Sequence, residues 1–111
     1  MEYAEAEKIM EKMFEEERAV SKAKGTEYTQ GKDRLDNFKR LSVDVGIDPK
    51  AVLWIYLKKH LDSISSYIRQ GRVFSNEPIQ GRIMDARVYL FLLRCMIEEE
   101  EAAKKTGNGQ S

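Results

Sequence analysis

The chain has 111 residues, which is enough for one domain with a hydrophobic core and too few for two. Hydrophobic residues make up 41% and charged residues 34%, a composition typical of a soluble protein, and only two prolines interrupt the runs available for helices. Because Lys plus Arg and Asp plus Glu both count 19, no overall charge favours nucleic acid or an anionic membrane as a partner.

The sequence shows neither a membrane span nor a secretory signal. No apolar run approaches the roughly 18 residues that cross a bilayer, and the acidic start, MEYAEAEKIMEKMFEEE, lacks the basic and then apolar layout of a signal peptide. We therefore expect a cytoplasmic protein. The single cysteine, Cys95, lies in the apolar run VYLFLLRCMI, where a thiol is expected to pack as a small hydrophobe.

Apolar spacing and turn residues predict two helices in the first half of the chain. The first covers Tyr3 to about Ala23 and carries a broken apolar stripe on a charged rod. The stretch KGTEYTQGK, residues 24–32, has glycines near both ends and is predicted to be a loop. A short second helix follows in RLDNFKRLSVDVG, with Asp33 as its N-cap and Gly46 as its end.

A third, central helix begins at Pro49, after the N-cap Asp48, and ends at Gly71. Its predicted inward face has the three-and-four spacing of a helix and comprises Leu53, Trp54, Leu57, Leu61, Ile64, Tyr67 and Ile68. Pro78 begins the last helix, with Ser75 or Asn76 as the cap. The predicted inward face of this helix comprises Ile79, Ile83, Ala86, Leu90, Leu93 and Ile97, and Val88, Phe91 and Leu92 widen it.

These elements predict an all-α fold, an antiparallel helical bundle of three long helices and one short helix. We expect a single domain over residues 1–104 and a flexible tail over residues 105–111. The apolar surfaces of the central and last helices are larger than one bundle buries, so a dimer is expected.

Polar residues on the two apolar-rich helices could form either a structural network or a metal site. Lys59 and Asp62 share a face of the central helix, and Arg82 and Asp85 share a face of the last one. In the structural alternative, Lys59 pairs with Asp85 and Arg82 pairs with Asp62. In the metal alternative, Asp62, Asp85 and Glu77 hold Mg²⁺ together with substrate phosphates.

The predicted loop could hold a nucleotide. Its residues Lys24, Glu27 and Tyr28, with Arg34 and Asn37 just after it, combine cations for phosphate with a ring for stacking. The alternative is a surface loop anchored by its tyrosine. His60 is the single histidine, and on a half-apolar face it could be a packing residue or a ligand contact.

Three segments, KGTEYTQGKDRLDNF, KKHLDSI and EPIQGRIMDARVYL, resemble small phage and prophage proteins of the nucleotide-modification-associated, MazG-like group. That group is similar to all-α nucleoside triphosphate pyrophosphohydrolases, dimeric or tetrameric bundles that cleave NTPs or dNTPs to monophosphate and pyrophosphate with Mg²⁺. By position, the resemblance matches the family's loop lysine, acid and tyrosine to Lys24, Glu27 and Tyr28. It also matches a helix-borne lysine, a late acid and a following tyrosine to Lys59, Asp85 and Tyr89.

The chain departs from the enzymes of this group at their paired acids. MazG-like enzymes carry ExxE on one helix and ExxD on the next, whereas this chain has KHLD and RIMD at those places. Lys59 and Arg82 therefore bring cations to positions where a metal would need anions. Such cations could contact nucleotide phosphates directly.

The sequence thus predicts a MazG-like nucleotide-binding protein, with a Mg²⁺-dependent (d)NTP pyrophosphohydrolase as its enzymatic form. The predicted catalytic residues are Lys59, Asp62 and Asp85, and the predicted metal ligands are Asp62, Glu77 and Asp85. The predicted nucleotide contacts are Lys24, Glu27, Tyr28, Arg34, Asn37, His60, Arg82 and Tyr89. Two alternatives stay open: a non-catalytic phage protein in the host cytosol that binds a host protein or sequesters a nucleotide signal, and a structural module with closed acid–base pairs.

Overall fold

The computed structural model describes residues 1–28, 33–72 and 76–109, without the side chains of residues 26–28 and 107–109. These residues form four α-helices, α1 (Tyr3–Tyr28), α2 (Asp36–Val45), α3 (Pro49–Gln70) and α4 (Ile79–Gly109), and none of them is in a β-strand. The predicted all-α class, with three long helices and one short one, is confirmed. Among the helices described, none is long and apolar enough to cross a membrane.

The central helix begins and ends at the predicted residues. The side chain of Asp48 accepts a hydrogen bond of 2.7 Å from the backbone N–H of Lys50, and Pro49 occupies the first helical position. Gly71 ends α3 at a φ of 73°, and Gly46 ends α2 at a φ of 72°. Because this left-handed conformation strains residues that carry a Cβ, glycine suits both ends.

The start of α2 differs from the prediction. Asp33 is not its N-cap, since the helix begins at Asp36 and Leu35 occupies the cap position without a side-chain hydrogen bond. Asp33 instead accepts the N–H of Leu35 at 2.9 Å and pairs with Lys39 at 2.6 Å. The aspartate therefore stabilises a turn ahead of the helix, a competing use of the same short side chain.

The end of α1 also differs, because the helix runs to Tyr28 and includes the first half of the predicted loop. Gly25 is buried there, and a Cβ added to it would lie 2.9 Å from Nε of Arg34. This glycine thus makes room for a side chain from the next segment instead of ending the helix. The rest of the predicted loop, residues 29–32, lies outside the described residues.

The last helix begins at Ile79, and the carbonyl of Pro78 accepts hydrogen bonds from the N–H groups of Gly81 and Arg82 at 3.0 and 3.4 Å. The predicted start is thus confirmed to within one residue. Ser75, one of the two predicted caps, lies outside the described residues. Helix α4 continues to Gly109, past the expected domain end at residue 104, and the flexibility of residues 105–111 stays a prediction.

Helices α3 and α4 are antiparallel neighbours, since Lys50 contacts Glu100 at one end and His60 lies beside Asp85 nearer the other. The described core lies between α2, α3 and α4. Its buried members are Leu35, Phe38, Val52, Leu53, Val88, Leu92 and Met96, with Val20 of α1 packed at its margin.

The buried faces match the predicted ones only in part. Leu53 and Leu57 of α3 are fully buried, whereas Trp54, Tyr67 and Ile68 are exposed. In α4 the buried stripe comprises Met84, Val88, Leu92 and Met96, together with Ala86. The predicted inward residues Ile83, Leu90 and Ile97 are exposed instead. Because α4 is apolar on most of its surface, spacing alone does not select the face that the bundle buries.

Candidate functional site

Asp85 of α4 lies where α1, α3 and α4 meet. Its Oδ1 accepts a hydrogen bond of 2.8 Å from Nζ of Lys24, which α1 supplies, and its Oδ2 lies 3.8 Å from Nδ1 of His60 on α3. The Asp85 and His60 side chains are each 14% exposed. The structure therefore brings together three predicted site residues that are far apart in sequence.

Arg82 extends this cluster. Its Nη1 lies 3.3 Å from Nδ1 of His60, and because a guanidinium can only donate, the imidazole nitrogen accepts. Burial lowers the pKa of His60, and the charges of Arg82 and Lys24 act in the same direction while Asp85 and Glu77 oppose them. Both observations indicate a neutral His60 with its proton on Nε2.

Aromatic rings form one wall of the cluster. Tyr89 stacks against His60, with ring centroids 5.4 Å apart, and against Tyr56 at 6.2 Å. The Phe38 ring meets both tyrosines edge-on, and Nζ of Lys24 lies 5.7 Å from the Tyr89 centroid. Because both neighbours stack on it, Tyr89 forms a structural wall of the cluster, and its predicted contact with a nucleotide stays a prediction.

Arg34 lies near this wall, and Asn37 directly precedes its residue Phe38 in α2. Nη2 of Arg34 donates to the carbonyl of Ser21 at 3.3 Å, and burial lowers the pKa of Arg34 while the nearby Cys95 and Tyr89 act in the opposite direction. Oδ1 of Asn37 is buried and has no hydrogen-bond partner among the described residues. A buried acceptor of this kind is costly unless a ligand or water donates to it.

Glu77 closes the cluster at its more exposed edge. Its Oε2 lies 3.3 Å from Nε of Arg82, and a Cβ added at Gly81 would lie 3.2 Å from its Oε1. The carboxylate thus lies against the first turn of α4, where the helix dipole favours negative charge.

Two of the predicted catalytic residues lie outside the cluster. Asp62 is exposed and pairs with Lys58 of the same helix, and Lys59 is exposed with its Nζ 5.6 Å from the Tyr56 centroid. Relative to His60, Lys59 lies about 100° and Asp62 about 200° around a helix. The predicted pairs Lys59–Asp85 and Arg82–Asp62 are therefore wrong, since Asp85 pairs with Lys24 and Arg82 pairs with Glu77.

The predicted Mg²⁺ site is not assembled in the part of the chain that the structure describes. No group of three or more His, Cys, Asp or Glu side chains there is arranged to hold a metal ion. Asp62 is separated from Asp85 by its position on α3, and Asp85 and Glu77 are each paired with a cation. The side chains of Glu27 and Tyr28 lie outside the described residues, so their predicted roles stay predictions.

The contributions of Tyr56 and Phe38 to the wall were not predicted from the sequence. Tyr56 lies four residues before His60, and Tyr89 lies four residues after Asp85, so each pair shares a helix face. That spacing was a readable signal for the aromatic side of the site. The contact between Lys24 and Asp85 spans 61 residues and left no such local signal.

The fold and this cluster define an all-α protein with a half-buried, cation-rich polar site. Comparison of the chain with protein-family models, with curated proteins and with solved structures found no match. The resemblance to the MazG-like group stays a prediction.

Proposed function

We propose that the cluster around Asp85 binds the phosphate groups of a nucleotide. The observation that carries the proposal is the convergence of Lys24, Arg34 and Arg82 on one half-buried region that also holds a neutral histidine. Charged groups cost free energy when they leave water, so cations are gathered in this way where an anion or a carboxylate compensates them.

Lys24 is the cation best placed to contact such a ligand. Its side chain is 27% exposed, and the hydrogen bond to Asp85 uses one of the three N–H donors of its ammonium group. Asp85 thereby orients Lys24, while the aromatic wall fixes the position of the ammonium over Tyr89. A preoriented cation loses less side-chain entropy when it binds a phosphate.

The remaining parts of a nucleotide have candidate contacts as well. Asn37 precedes Phe38, a residue of the aromatic wall, and its buried Oδ1 suits an N–H or O–H donor of a base or sugar. Tyr28, at the end of α1, is the proposed stacking residue for the base. Lys59 and Asp62 have no part in this proposal.

No resident metal belongs to this proposal, because the carboxylates near the site do not fit one. A protein that holds phosphates through Lys24, Arg34 and Arg82 alone fits a nucleotide-binding or nucleotide-sequestering role better than a hydrolase. Its origin from a phage stays a prediction of the resemblance.

Thermal melting of the purified protein against a panel of NTPs and dNTPs, with and without Mg²⁺, tests the proposal. A ligand that binds only the folded state raises the melting temperature, and at 100 times its dissociation constant it adds about 2.7 kcal/mol to the free energy of unfolding. We expect a shift that needs no Mg²⁺, with the nucleotide recovered intact. A Mg²⁺-dependent shift with release of pyrophosphate would establish the enzymatic form instead.

Matched variants identify the site. Lys24→Gln should raise the dissociation constant by roughly tenfold or more, since it removes a charge-assisted hydrogen bond. Lys58→Gln makes the same charge change in an exposed pair and should leave binding unchanged. Asp85→Asn keeps a side-chain oxygen that can accept from Lys24 and so should preserve its orientation, while the negative charge beside the ligand is lost, so phosphate binding should be strengthened.

These three variants separate the proposal from its rivals. The assigned site would be refuted if Lys24→Gln and the wild type bound nucleotide with equal dissociation constants. The comparison is made at equal helical content and at a temperature below both melting temperatures. Absence of a shift with every nucleotide would refute nucleotide binding and favour the structural module or a host protein partner.

A further inference from the structure

The first half of α1 carries an apolar stripe that is mostly exposed. Residues 1–12 are exposed without exception, and among the side chains of the stripe Met10 is 56% and Phe14 55% exposed. We call this surface the α1 stripe, and it comprises Tyr3, Ala6, Ile9, Met10, Met13 and Phe14. Large apolar side chains that are clustered in this way mark a surface that another molecule covers.

The α1 stripe continues the line along which α1 already packs on the bundle. In the second half of the helix, Glu17 and Lys24 pair with residues of α4, and Val20 packs at the margin of the core. Met13 and Met10 lie only about 20° and 80° around the helix from Val20. The side of α1 that contacts α4 therefore extends along residues 3–12, which is about 15 Å of exposed helix.

The contact nearest to the stripe shows which groups pack on this side of α1. Arg87 of α4 donates from Nη2 to Oε2 of Glu17 at 2.9 Å, and its guanidinium carbon lies 5.8 Å from the centroid of the Phe14 ring. A helix-borne arginine thus pairs with a carboxylate of α1 and packs on an aromatic ring at the same time. A helix with arginines at similar positions would fit the exposed part of the stripe in the same way.

The charge around the α1 stripe favours a basic partner. Residues 2–16 include six glutamates and two lysines. Glu5, Glu7 and Glu16 lie about 60–120° around the helix from Met13, and so they border the stripe on both sides. Because like charges repel, a second α1 stripe packed on the first would bring glutamates against glutamates, and an anionic membrane would also be repelled.

We propose that the α1 stripe binds an amphipathic helix of another protein, whose apolar face is bordered by arginine or lysine. Apolar side chains of that helix pack on Ile9, Met10 and Met13, and its cations pair with the bordering glutamates, as Arg87 does with Glu17. Methionine suits such a surface because its flexible side chain adapts to differently shaped partners. This interface lies at the opposite end of α1 from Lys24, so it is independent of the proposed nucleotide site.

A synthetic peptide is the probe for this surface. It has about 18 residues, enough for five helical turns, with leucine at the core positions of a heptad repeat and arginine beside them. The control peptide has the same composition, with the leucines spread around the helix. We expect the full chain to bind the first peptide in the micromolar range and more weakly at high salt, and amides of residues 3–12 to become protected from hydrogen exchange.

A double variant locates the interface. Ile9→Gln together with Met10→Gln removes apolar surface without adding charge, and glutamine is a good helix former. It should raise the dissociation constant of the peptide roughly tenfold or more, at unchanged helix content by circular dichroism. Val43→Gln is the matched control at an exposed apolar residue of α2 and should leave binding unchanged.

Four results would overturn the proposal. They are no binding of the arginine peptide, equal binding of the control peptide, equal binding by the double variant and the wild type, and a dimer of the chain alone that the double variant dissociates. The last result, measured by sedimentation equilibrium, would make a second copy the occupant of the stripe. The shift of melting temperature with nucleotide is measured separately and should be the same in the double variant, so failure of one proposal leaves the other unaffected.

Discussion

Each residue of the cluster around Asp85 is constrained by a partner from another helix. Lys24 reaches Asp85 from α1, His60 accepts from Arg82 between α3 and α4, and Tyr89 packs against Tyr56 across the same helix pair. A side chain that contacts two neighbours is restricted in its rotamer, and an ionisable one is also restricted in its protonation state. The protonation state of His60 is therefore the most direct report on the geometry of the site.

His60 should titrate below the usual histidine value. Burial is the largest cause and lowers its pKa, Asp85 and Glu77 oppose this shift, and Arg82 and Lys24 act in the same direction as burial. Because the chain contains one histidine, its imidazole signals in a nuclear magnetic resonance titration need no assignment. We expect a midpoint below the value of about 6.5 found in unfolded chains, and Arg82→Gln should move the midpoint upward.

The same shift predicts how stability depends on pH. The unfolded chain binds a proton at His60 more readily than the folded one, so the free energy of unfolding is unaffected above about pH 6.5 and falls as the pH drops below it. His60→Gln should abolish this slope between pH 5 and 6.5, where Asp33 and Asp48 stay ionised because their pKa values are lowered by hydrogen bonds. A wild-type slope that persists in His60→Gln would contradict the assignment.

At the scale of the residue, the sequence identified much of the cluster and misplaced the rest for a geometric reason. His60, Arg82, Asp85 and Tyr89 share faces of two helices, and the structure brings them together. Asp62 was grouped with them because it shares a face of α3 with Lys59 at a spacing of three, but it lies about 200° around the helix from His60. Lys24 and Asp85 are 61 residues apart in sequence. Their pairing depends on how α1 packs against α4, and local sequence patterns do not encode that packing.

At the scale of the element, helix ends were predictable where one mechanism dominates. Asp48, Pro49 and Gly71 serve α3 as expected because their backbone and capping preferences agree. The loop predicted at Gly25 was wrong, because the absence of a side chain there makes room for Arg34 and does not serve a turn. The prediction of Asp33 as the N-cap of α2 was wrong for a related reason, because the same carboxylate can stabilise either a turn or a helix start.

Helix α1 should divide into a protected and an unprotected half in hydrogen exchange. Residues 1–12 are exposed on every side, whereas Glu17 pairs with Arg87 at 2.9 Å and Lys24 pairs with Asp85. A helical stretch of this length is marginal in water without packing. Amides of residues 3–12 should exchange within seconds at neutral pH, while those around Val20 and in the middle of α3 should be slowed by orders of magnitude.

A truncation provides the control for this division. Removal of residues 1–10 should change the free energy of unfolding by less than about 1 kcal/mol, because no described residue in that range is buried. Protection of residues 3–12 equal to that of α3 would show that this half of α1 is covered in solution. In that case the surface formed by Ile9 and Met10 would be an interface.

At the scale of the whole molecule, the described helices divide their apolar surface between a buried core and a set of exposed residues, among them Trp54, Ile68, Ile83 and Leu90. In α4, Val88 and Leu92 lie on the buried face, and Leu90 and Ile97 lie about 160–180° around the helix from Val88. The sequence showed that α4 is apolar on most of its surface, and it did not show which stripe the chain buries in its own core. Contacts made by α1 and α2 decide that choice, since they cover one side of the α3/α4 pair.

The core predicts that α2, α3 and α4 unfold together. Leu53 is fully buried in the cluster that these three helices share, whereas Ile55 on the same helix is 54% exposed. Leu53→Ala should reduce the free energy of unfolding by about 2–5 kcal/mol, through lost apolar burial and the cavity left behind. Ile55→Ala, the matched control, should cost less than about 1 kcal/mol, since most of its surface is already in water.

Urea unfolding followed by circular dichroism and by the fluorescence of Trp54 measures both variants. Because Trp54 lies outside the core and is 52% exposed, coincident transitions for the two signals show that the α3/α4 pair unfolds as one unit with the rest. We expect the two transitions to coincide. Equal loss of stability in the two variants would mean that the burial of Leu53 and Ile55 on α3 differs from the one described.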